Sequence, residues 1–100
     1  MRILTTEFEV KYEQPGDWAY GGAMGRCYVQ DAKILINSTM NKDIQTETLM
    51  HECLHAMADM LELPFQESEQ TIATLSQALI MFIRDNPVFI YEILNNKGKK

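Results

Sequence analysis

The sequence predicts an α+β fold, in which a small antiparallel sheet of about three strands packs on two helices and a short third helix follows. β-prone runs separated by turn-forming residues occupy residues 1–40. Apolar residues then recur at helical spacing over residues 44–62 and 66–95. The chain has 100 residues, of which 46% are apolar, and this is enough for one core, so we expect a single domain over residues 1–100.

Three segments of the N-terminal part have the composition of strands. Apolar and polar residues alternate over residues 2–12, which is typical of a half-exposed strand. The runs 26–30 and 33–38 flank a short turn and predict a β-hairpin. The second run leads into the first helix, so it is either an edge strand that an extended peptide could join or an ordinary sheet strand. We expect the glycine-rich residues 18–25 to form a connection.

The first helix is predicted over residues 44–62. Asp43 is a favourable N-cap, and the Leu63-Pro64 pair ends the helix because the residue before a proline disfavours helical geometry. The side chains expected to be buried are Leu49, Leu54, Met57, Ala58 and Leu61.

A second helix is predicted over residues 66–84, with Ser68 as its N-cap. A short third helix follows, which Asn86 caps and Pro87 begins, and it runs through Leu94. The second helix carries an apolar stripe that consists of Ile72, Leu75, Leu79, Phe82 and Ile83.

The composition argues against several classes of function. The formal net charge of -5 disfavours nucleic-acid binding, because phosphate recognition needs clustered basic residues, and the basic residues 97–100 are expected to be a solvated end. No apolar run reaches the ~20 residues that span a bilayer, and residues 1–10 lack the apolar core of a signal peptide. We therefore expect a cytoplasmic protein without membrane or nucleic-acid partners, in which Cys27 and Cys53 are reduced.

The first helix contains an HExxH motif. His51 and His55 are about one helical turn apart and project from the same face, so both imidazoles can bind one metal ion. Glu52 lies beside them, where it can reach a water molecule on that ion. Cys53 lies about 200° around the helix from His51, so we expect it in the core and not on the metal.

A catalytic zinc site needs three protein ligands and an open position for water. The chain has no other histidine, so the third ligand must be a carboxylate or a thiolate. The metzincin pattern is excluded, because it would need glycine at Ala58 and histidine at Leu61. Asp59 lies about 12 Å along the axis from His51, too far to share its ion, and it either orients His55 or is a solvated carboxylate.

Two acids follow the turn after the first helix, Glu67 and Glu69. Glu69 shares a face of the second helix with Ile72, so packing of that face would direct its carboxylate towards the two histidines. We therefore select Glu69 as the third ligand and keep Glu67 in reserve. In the alternative interpretation, both acids simply interact favourably with the positive end of the helix dipole.

This ligand set predicts hydrolytic chemistry. Zinc lowers the pKa of its water towards ~7 and polarises a carbonyl group, while Glu52 accepts the proton of the attacking water. The developing oxyanion needs a hydrogen-bond donor. Tyr20, Tyr28 and Tyr91 are candidates, although no spacing distinguishes them.

Four parts of the sequence carry a resemblance to a known family, namely residues 49–56, the Leu-Pro turn after the first helix, the helix start at residues 67–69 and the Asp-Asn-Pro triplet at residues 85–87. Together they resemble the small HExxH-plus-glutamate proteins common in phages and prophages. Those proteins look like minimal gluzincin metallopeptidases. The resemblance implies a small antiparallel sheet over an active-site helix and a glutamate helix. It also implies zinc bound by His51, His55 and Glu69, with Glu52 as the base.

The sequence thus predicts a zinc-dependent metallopeptidase of gluzincin type, with a peptide or protein as its substrate. The chain lacks the lower subdomain of large gluzincins, which argues against a deep specificity pocket and broad proteolysis. One alternative is a catalytically weak or inactive module that keeps the zincin fold and acts by binding a host or phage protein. Another alternative is a zinc hydrolase that acts on a nonpeptide amide.

Overall fold

The computed structural model describes residues 1–19 and 22–96 and has the predicted α+β class. The strands are β1 (Arg2–Ile3), β2 (Thr6–Glu7), β3 (Glu9–Glu13), β4 (Gly25–Tyr28) and β5 (Lys33–Asn37), and a 3-10 turn spans Asp17–Ala19. The helices are α1 (Lys42–Met60), α2 (Glu69–Asp85) and α3 (Pro87–Asn95). The basic residues 97–100 lie outside the described part of the chain.

The larger sheet has the strand order β3-β5-β4. β5 is antiparallel to β4, as the predicted hairpin requires, but it is parallel to β3. The prediction of a purely antiparallel sheet is therefore wrong, because this sheet is mixed. The three strands alternate in direction along the chain, and β3 and β5 become parallel neighbours because β3 pairs with β5 instead of with β4.

The N-terminal residues 2–12 do not form a single strand. β1 and β2 form a hairpin of their own, and Leu4 at its turn has a φ of 54°. Ile3 and Phe8 are both buried, while Leu4 is exposed. The alternation between apolar and polar residues therefore does not indicate one strand here, because that rule holds only within a strand and fails across a turn.

The position of β5 in the sheet decides which strand is open at the edge. β5 lies between β3 and β4, so the possibility that it is an edge strand is wrong. β3 and β4 are the two edge strands of this sheet, and of these β4 packs on α1. The strand available to an extended peptide beside the motif helix is therefore β4.

Asn41 is the N-cap of α1, because its side-chain oxygen accepts a hydrogen bond from the backbone N–H of Ile44 at 2.9 Å. The predicted cap, Asp43, lies in the first turn instead. The helix consequently begins at Lys42, slightly before the predicted start. An aspartate in the first turn still interacts favourably with the helix dipole.

The C-terminal end of α1 is a Schellman turn. Glu62 has a φ of 54°, and the backbone N–H of Leu63 donates to the carbonyl of Ala58 at 2.9 Å. The N–H of Glu62 donates to the carbonyl of Asp59 at 3.0 Å. These bonds satisfy the last carbonyls of the helix and turn the chain back towards α2.

Small residues dominate the face of α1 that packs on the sheet. Cys53 and Ala56 are buried there, so Cys53 belongs to the core as predicted, and Ala58 is buried on another side of the helix. Leu61 is exposed, contrary to the prediction, because the helix has already ended at Met60. The other predicted positions are half-buried, namely Leu49, Leu54 and Met57.

α2 begins after the predicted cap, where the Ser68 hydroxyl accepts a hydrogen bond from the Thr71 backbone N–H. Its buried residues are Ile72, Ser76 and Ile80. The rest of the predicted apolar stripe, Leu75, Leu79, Phe82 and Ile83, is exposed. The burial prediction is wrong for these positions because α1 covers only one side of α2.

α3 begins at Pro87 as predicted. Asn86 precedes it but does not cap it, because its side-chain amide donates to the carbonyl of Phe82 in α2 at 2.9 Å. None of the residues of α3, all of which the structure describes, is fully buried.

The core lies between the sheets and α1. It consists of Ile3, Phe8, Ile34, Ile36, Cys53 and Ala56. Both strand and helix residues contribute to it, so the position of α1 on the sheet is set by this apolar contact. Among the described helices, none combines the length and the apolar character that crossing a membrane requires.

Candidate metal centre

The two histidines of the motif face each other on α1. The Nε2 atoms of His51 and His55 are 3.1 Å apart. The two rings are edge to face, with their centroids separated by 4.8 Å. This is the arrangement that a spacing of one helical turn predicts.

Glu69 completes the cluster from the first residue of α2. Its Oε1 lies 3.2 Å from Nε2 of His55 and also contacts Nε2 of His51. The Schellman turn returns the chain to α1, and the Ser68 cap starts α2 at this point. The structure thus brings together the three side chains that the sequence selects as metal ligands.

These three residues fit a zinc ion. Their ligand atoms all lie within 4.8 Å of one another. Two ligands that are each ~2.0–2.1 Å from a tetrahedral zinc lie about 3.3 Å apart. Two of the three separations between ligand atoms, 3.1 and 3.2 Å, are close to this value, and the contact between Glu69 and His51 is shorter. Two histidines and one glutamate are also a ligand set that catalytic zinc uses in hydrolases.

The cluster is covered by protein on one side and open on the other. The side chains of His51 and His55 are 21% and 22% exposed, whereas that of Glu69 is 73% exposed. Partial burial acts to raise the pKa of Glu69, but hydrogen bonds to His55 and His51 outweigh it and hold this pKa below its usual value. Glu69 therefore presents an ionised carboxylate to the two imidazoles.

The other acids near the site are placed differently. Glu67, the reserve ligand, is exposed and lies outside the cluster of ligand atoms. Asp59 is exposed, and within the described structure no hydrogen bond joins it to His55. The geometry consequently favours Glu69 over Glu67, and it gives Asp59 no direct contact through which to orient His55.

Glu52 is buried between α1 and the sheet, with a relative exposure of 7%. No hydrogen bond joins the Glu52 side chain to another residue that the structure describes. Glu52 lines two cavities. Burial raises the pKa of Glu52, and the neighbouring His55 and His51 partly oppose that rise. Among the described residues no side-chain oxygen is both buried and without a hydrogen-bond partner, so the Glu52 carboxylate keeps contact with the cavities and is accessible to a molecule bound there.

β4 approaches α1 closely at Gly25. A Cβ atom at this position would lie 2.8 Å from Cγ2 of Thr48 and 3.2 Å from Cγ of Glu52. Both distances are shorter than ordinary carbon contacts. Glycine at this position therefore allows the edge strand to lie against the part of α1 that carries Glu52.

Two cavities flank Glu52. The larger one has a volume of about 460 Å³ and extends past His51 towards Met24, Ile44 and Ala73. The smaller one has a volume of about 310 Å³ and contains the acids Asp59 and Glu67. Gly25, Arg26, Glu52 and Glu69 line both cavities, so the candidate metal centre lies at the middle of a continuous cleft.

Arg26 is a site residue that sequence reasoning missed. It lies on β4 and lines both cavities, and its Nε donates a hydrogen bond to the Trp18 carbonyl at 2.8 Å. Its positive charge lowers the pKa of Glu52 slightly against the larger effect of burial. The spacing along the chain carries no signal for Arg26, because only the packing of β4 on α1 brings it to the site.

The two described tyrosines among the candidate oxyanion donors are not at the site. Of the described tyrosines, neither Tyr28 nor Tyr91 lines either cavity. Tyr91 lies on α3, which follows the far end of α2. Tyr20 falls outside the described residues.

No protein-family model matches this chain. A comparison with curated proteins found no match, and a comparison with solved structures found none. The functional conclusion therefore depends on the geometry and chemistry of the site.

Proposed function

We propose that the protein is a zinc-dependent metallopeptidase of gluzincin type. The observation that carries this proposal is the convergence of His51, His55 and Glu69 within 4.8 Å beside the buried Glu52. A structural zinc site is normally closed by four protein ligands, whereas a catalytic one keeps a position for water. Three ligands in the middle of an open cleft support the catalytic type.

Each residue has a distinct role in this proposal. Zinc held by the three ligands would supply Lewis acidity, which activates water and polarises the substrate carbonyl. Glu52 accepts the proton of the attacking water and passes it to the leaving amine. Its low exposure keeps bulk water away from the proton that it carries.

The edge strand β4 supports a peptide as the substrate. β5 occupies one side of β4, and the other side has no strand partner within the described sheet. An extended peptide can pair with such an edge through backbone hydrogen bonds. Gly25 and Arg26 of this strand line the cleft, so a peptide on β4 would pass next to Glu52.

Arg26 is our candidate for the group that stabilises the oxyanion. It is the basic residue that lines both cavities, and a positive charge near a developing oxyanion lowers the barrier. We expect Arg26→Gln to lower kcat by roughly 10²-fold with little change in KM, and Arg26→Lys to restore part of the loss. A fall in kcat/KM that comes from KM alone would contradict this role.

The metal can be measured without any knowledge of the substrate. We expect purified protein to bind about one zinc ion per chain, and His55→Ala and Glu69→Gln to lose most of it. Glu67→Gln is the matched control and retains the metal. Equal zinc content in the parent and in His55→Ala would rule out the ligand set.

Catalysis is tested with a peptide library and the Glu52→Gln variant. This variant keeps zinc and lowers cleavage by roughly 10²- to 10⁴-fold, because it removes the proton acceptor and leaves the ligands in place. If Glu52→Gln cuts as well as the parent, the peptidase mechanism is wrong. If the parent binds zinc but cleaves no peptide, a hydrolase of nonpeptide amides is favoured.

A second candidate is an inactive zincin-like module that binds a host or phage protein. The placement of Tyr28 and Tyr91 away from the cleft favours it, since neither can serve as an oxyanion donor there. This candidate predicts that Glu52→Gln leaves the biological effect unchanged. For either function we infer a cytoplasmic location, because both cysteines are free thiols.

A further inference from the structure

The two cavities beside the candidate metal centre differ in charge. Three charged residues, Glu52, Glu69 and Arg26, line both cavities, so they do not distinguish the two sides of the cleft. Beyond these, one carboxylate lines the larger cavity and two line the smaller one. The smaller cavity thus has four carboxylates and a single arginine, and it is the more acidic part of the cleft.

The additional acid of the larger cavity is compensated. Glu47 forms an ion pair with Arg84 of α2, in which Oε2 and Nη1 are 3.5 Å apart. Apolar side chains also line this cavity, among them Met24, Ile44 and Ala73. Apart from the shared residues, the larger cavity therefore offers a substrate no uncompensated acid.

The two additional acids of the smaller cavity, Asp59 and Glu67, are not compensated. Both residues are exposed, and neither forms an ion pair with a basic residue that the structure describes. Asp59 belongs to the last turn of α1, whereas Glu67 belongs to the connection before α2, so the cavity receives one carboxylate from each side of the turn. Two carboxylates in one cleft attract a positively charged group.

Glu52 connects this acidic cavity to the residues of the proposed reaction. It is only 7% exposed, and no hydrogen bond joins its side chain to another described residue. The part of Glu52 that remains accessible lines the cleft, so a molecule in the smaller cavity can contact the group that we propose as the base. The smaller cavity is thus part of the same site and not a separate acidic patch on the surface.

The order of residues along β4 indicates how a peptide would cross the cleft. Met24, which precedes the strand, lines only the larger cavity, Gly25 and Arg26 line both cavities, and Cys27 lines only the smaller one. An extended peptide that pairs with this edge strand advances about 3.3 Å per residue alongside it. Such a peptide passes from the larger cavity, across the candidate metal centre, into the smaller cavity.

The distance from the metal ligands to the acids limits which substrate residue can reach them. Asp59 lies one helical turn beyond His55, about 6 Å along the axis of α1. Two residues of an extended peptide cover about 6.6 Å. The volume of the smaller cavity, about 310 Å³, is enough for one long side chain. The side chain that meets Asp59 and Glu67 therefore belongs to a residue within about two positions of the scissile bond.

We propose that the smaller cavity is a specificity subsite for a lysine or arginine of the substrate, within two residues of the scissile bond and on one side of it only. This proposal rests on the peptidase function and names the class of its substrate. The larger cavity receives the other side of the peptide and selects no basic residue. Exposed ion pairs are individually weak, so the two carboxylates together favour a basic over an uncharged side chain by roughly tenfold.

A peptide library that contains every residue type at each position tests the substrate class. We expect the cleavage sites, read by mass spectrometry, to show lysine and arginine enriched roughly tenfold on one side of the scissile bond and not on the other. Cleavage without this enrichment, or with equal enrichment on both sides, overturns the subsite and leaves the peptidase function standing. If no peptide is cut, the peptidase proposal fails and the subsite fails with it.

Neutral variants assign the preference to its residues. A cleaved peptide is compared with an analogue in which glutamine replaces the basic residue. We expect the ratio of their kcat/KM values to fall from roughly 10 to roughly 1 when Asp59→Asn and Glu67→Gln are combined, and part of the way in Glu67→Gln alone. Glu47→Gln is the matched control, because it removes one negative charge from the other cavity and keeps the ratio. An unchanged ratio in the combined variant, or an equal fall in Glu47→Gln, overturns the assignment.

Peptide binding provides a second measurement that needs no turnover. Fluorescence anisotropy with zinc-loaded Glu52→Gln protein should give a roughly tenfold lower dissociation constant for the basic peptide than for its glutamine analogue at about 0.05 M salt. The difference should shrink towards onefold at about 1 M salt, where the Debye length is only ~3 Å. Equal dissociation constants at low salt, or a preference that does not change with salt, would overturn a subsite based on charge.

Discussion

At the scale of single residues, Gly25 decides how closely the edge strand approaches the motif helix. Its missing side chain leaves room for Cγ2 of Thr48 and Cγ of Glu52. The same strand residue lines both cavities. The geometry of the cleft therefore depends on a residue that has no chemistry of its own.

We predict that Gly25→Ala lowers the free energy of unfolding by about 1–3 kcal/mol, because the new methyl group would lie 2.8 Å from Thr48. Thr48→Ser in the same chain removes the clashing Cγ2 atom and should recover part of the loss. Urea unfolding of the two variants and the parent measures both effects. An equal loss in the single and double variants would show that the contact with Thr48 is not the cause.

Cys27 provides a prediction about pH. Burial, followed by the nearby charge of Glu52, raises the pKa of its thiol to about 12. At pH 8 the native thiol should therefore react with iodoacetamide roughly 1,000-fold more slowly than in the unfolded chain, because only the thiolate is nucleophilic. Mass spectrometry separates Cys27 from Cys53, and rapid native alkylation of Cys27 would contradict the prediction.

The same shift gives the sign of a stability change. The folded chain holds the Cys27 proton more tightly than the unfolded chain does, since the folded pKa is the higher one. The resulting stabilisation is fully present below about pH 8.5 and is lost as the pH rises towards 12. A Cys27→Ser variant should lack this part of the alkaline loss.

At the scale of elements, the turn after α1 brings Glu69, the proposed third ligand, to the two histidines. Glu62 occupies the left-handed position of a Schellman turn, where glycine is usual because it has no Cβ. The chain then reverses and presents Glu69 at the start of α2. A short stretch of backbone geometry thus controls whether the ligand set can assemble.

We predict that Glu62→Gly raises the free energy of unfolding by about 1 kcal/mol, because glycine adopts a φ of 54° without steric cost. Glu62→Ala is the control, since it removes the same charge but keeps the Cβ atom. Urea unfolding should show a gain for glycine alone. Equal stability of the two variants would mean that backbone strain at this position is negligible.

At the scale of the whole molecule, the candidate metal centre combines side chains from two helices, α1 and α2, which a turn separates. An ion bound by His51, His55 and Glu69 would connect α1 to α2. The unfolded chain does not hold these ligands together, so zinc binding should stabilise the folded state.

We predict that zinc at about 100 times its dissociation constant raises the free energy of unfolding by about 2.7 kcal/mol. Thermal unfolding with added zinc, and again after chelation, measures the change. The Glu69→Gln variant should show a much smaller response than Glu67→Gln. An equal response in the two variants would show that zinc stabilises the protein from another site.

The sequence by itself determined the helices, the β4–β5 hairpin, the cap at Ser68 and the shared face of His51 and His55. These features depend on contacts between residues a few positions apart. The periodicity of the sequence predicts such contacts. The selection of Glu69 also followed from helical periodicity. Local rules failed at Leu4, where an unrecognised turn interrupted the alternation of apolar and polar residues.

Only the tertiary structure decided the strand order, and with it the parallel pairing of β3 and β5 and the placement of β4 at the edge. It also brought Arg26 to the cleft and left Leu75, Leu79 and Phe82 uncovered. These features depend on which distant segments pack together. An apolar stripe on a helix predicts that something covers it, but the pattern does not state whether the cover comes from the same chain or from another.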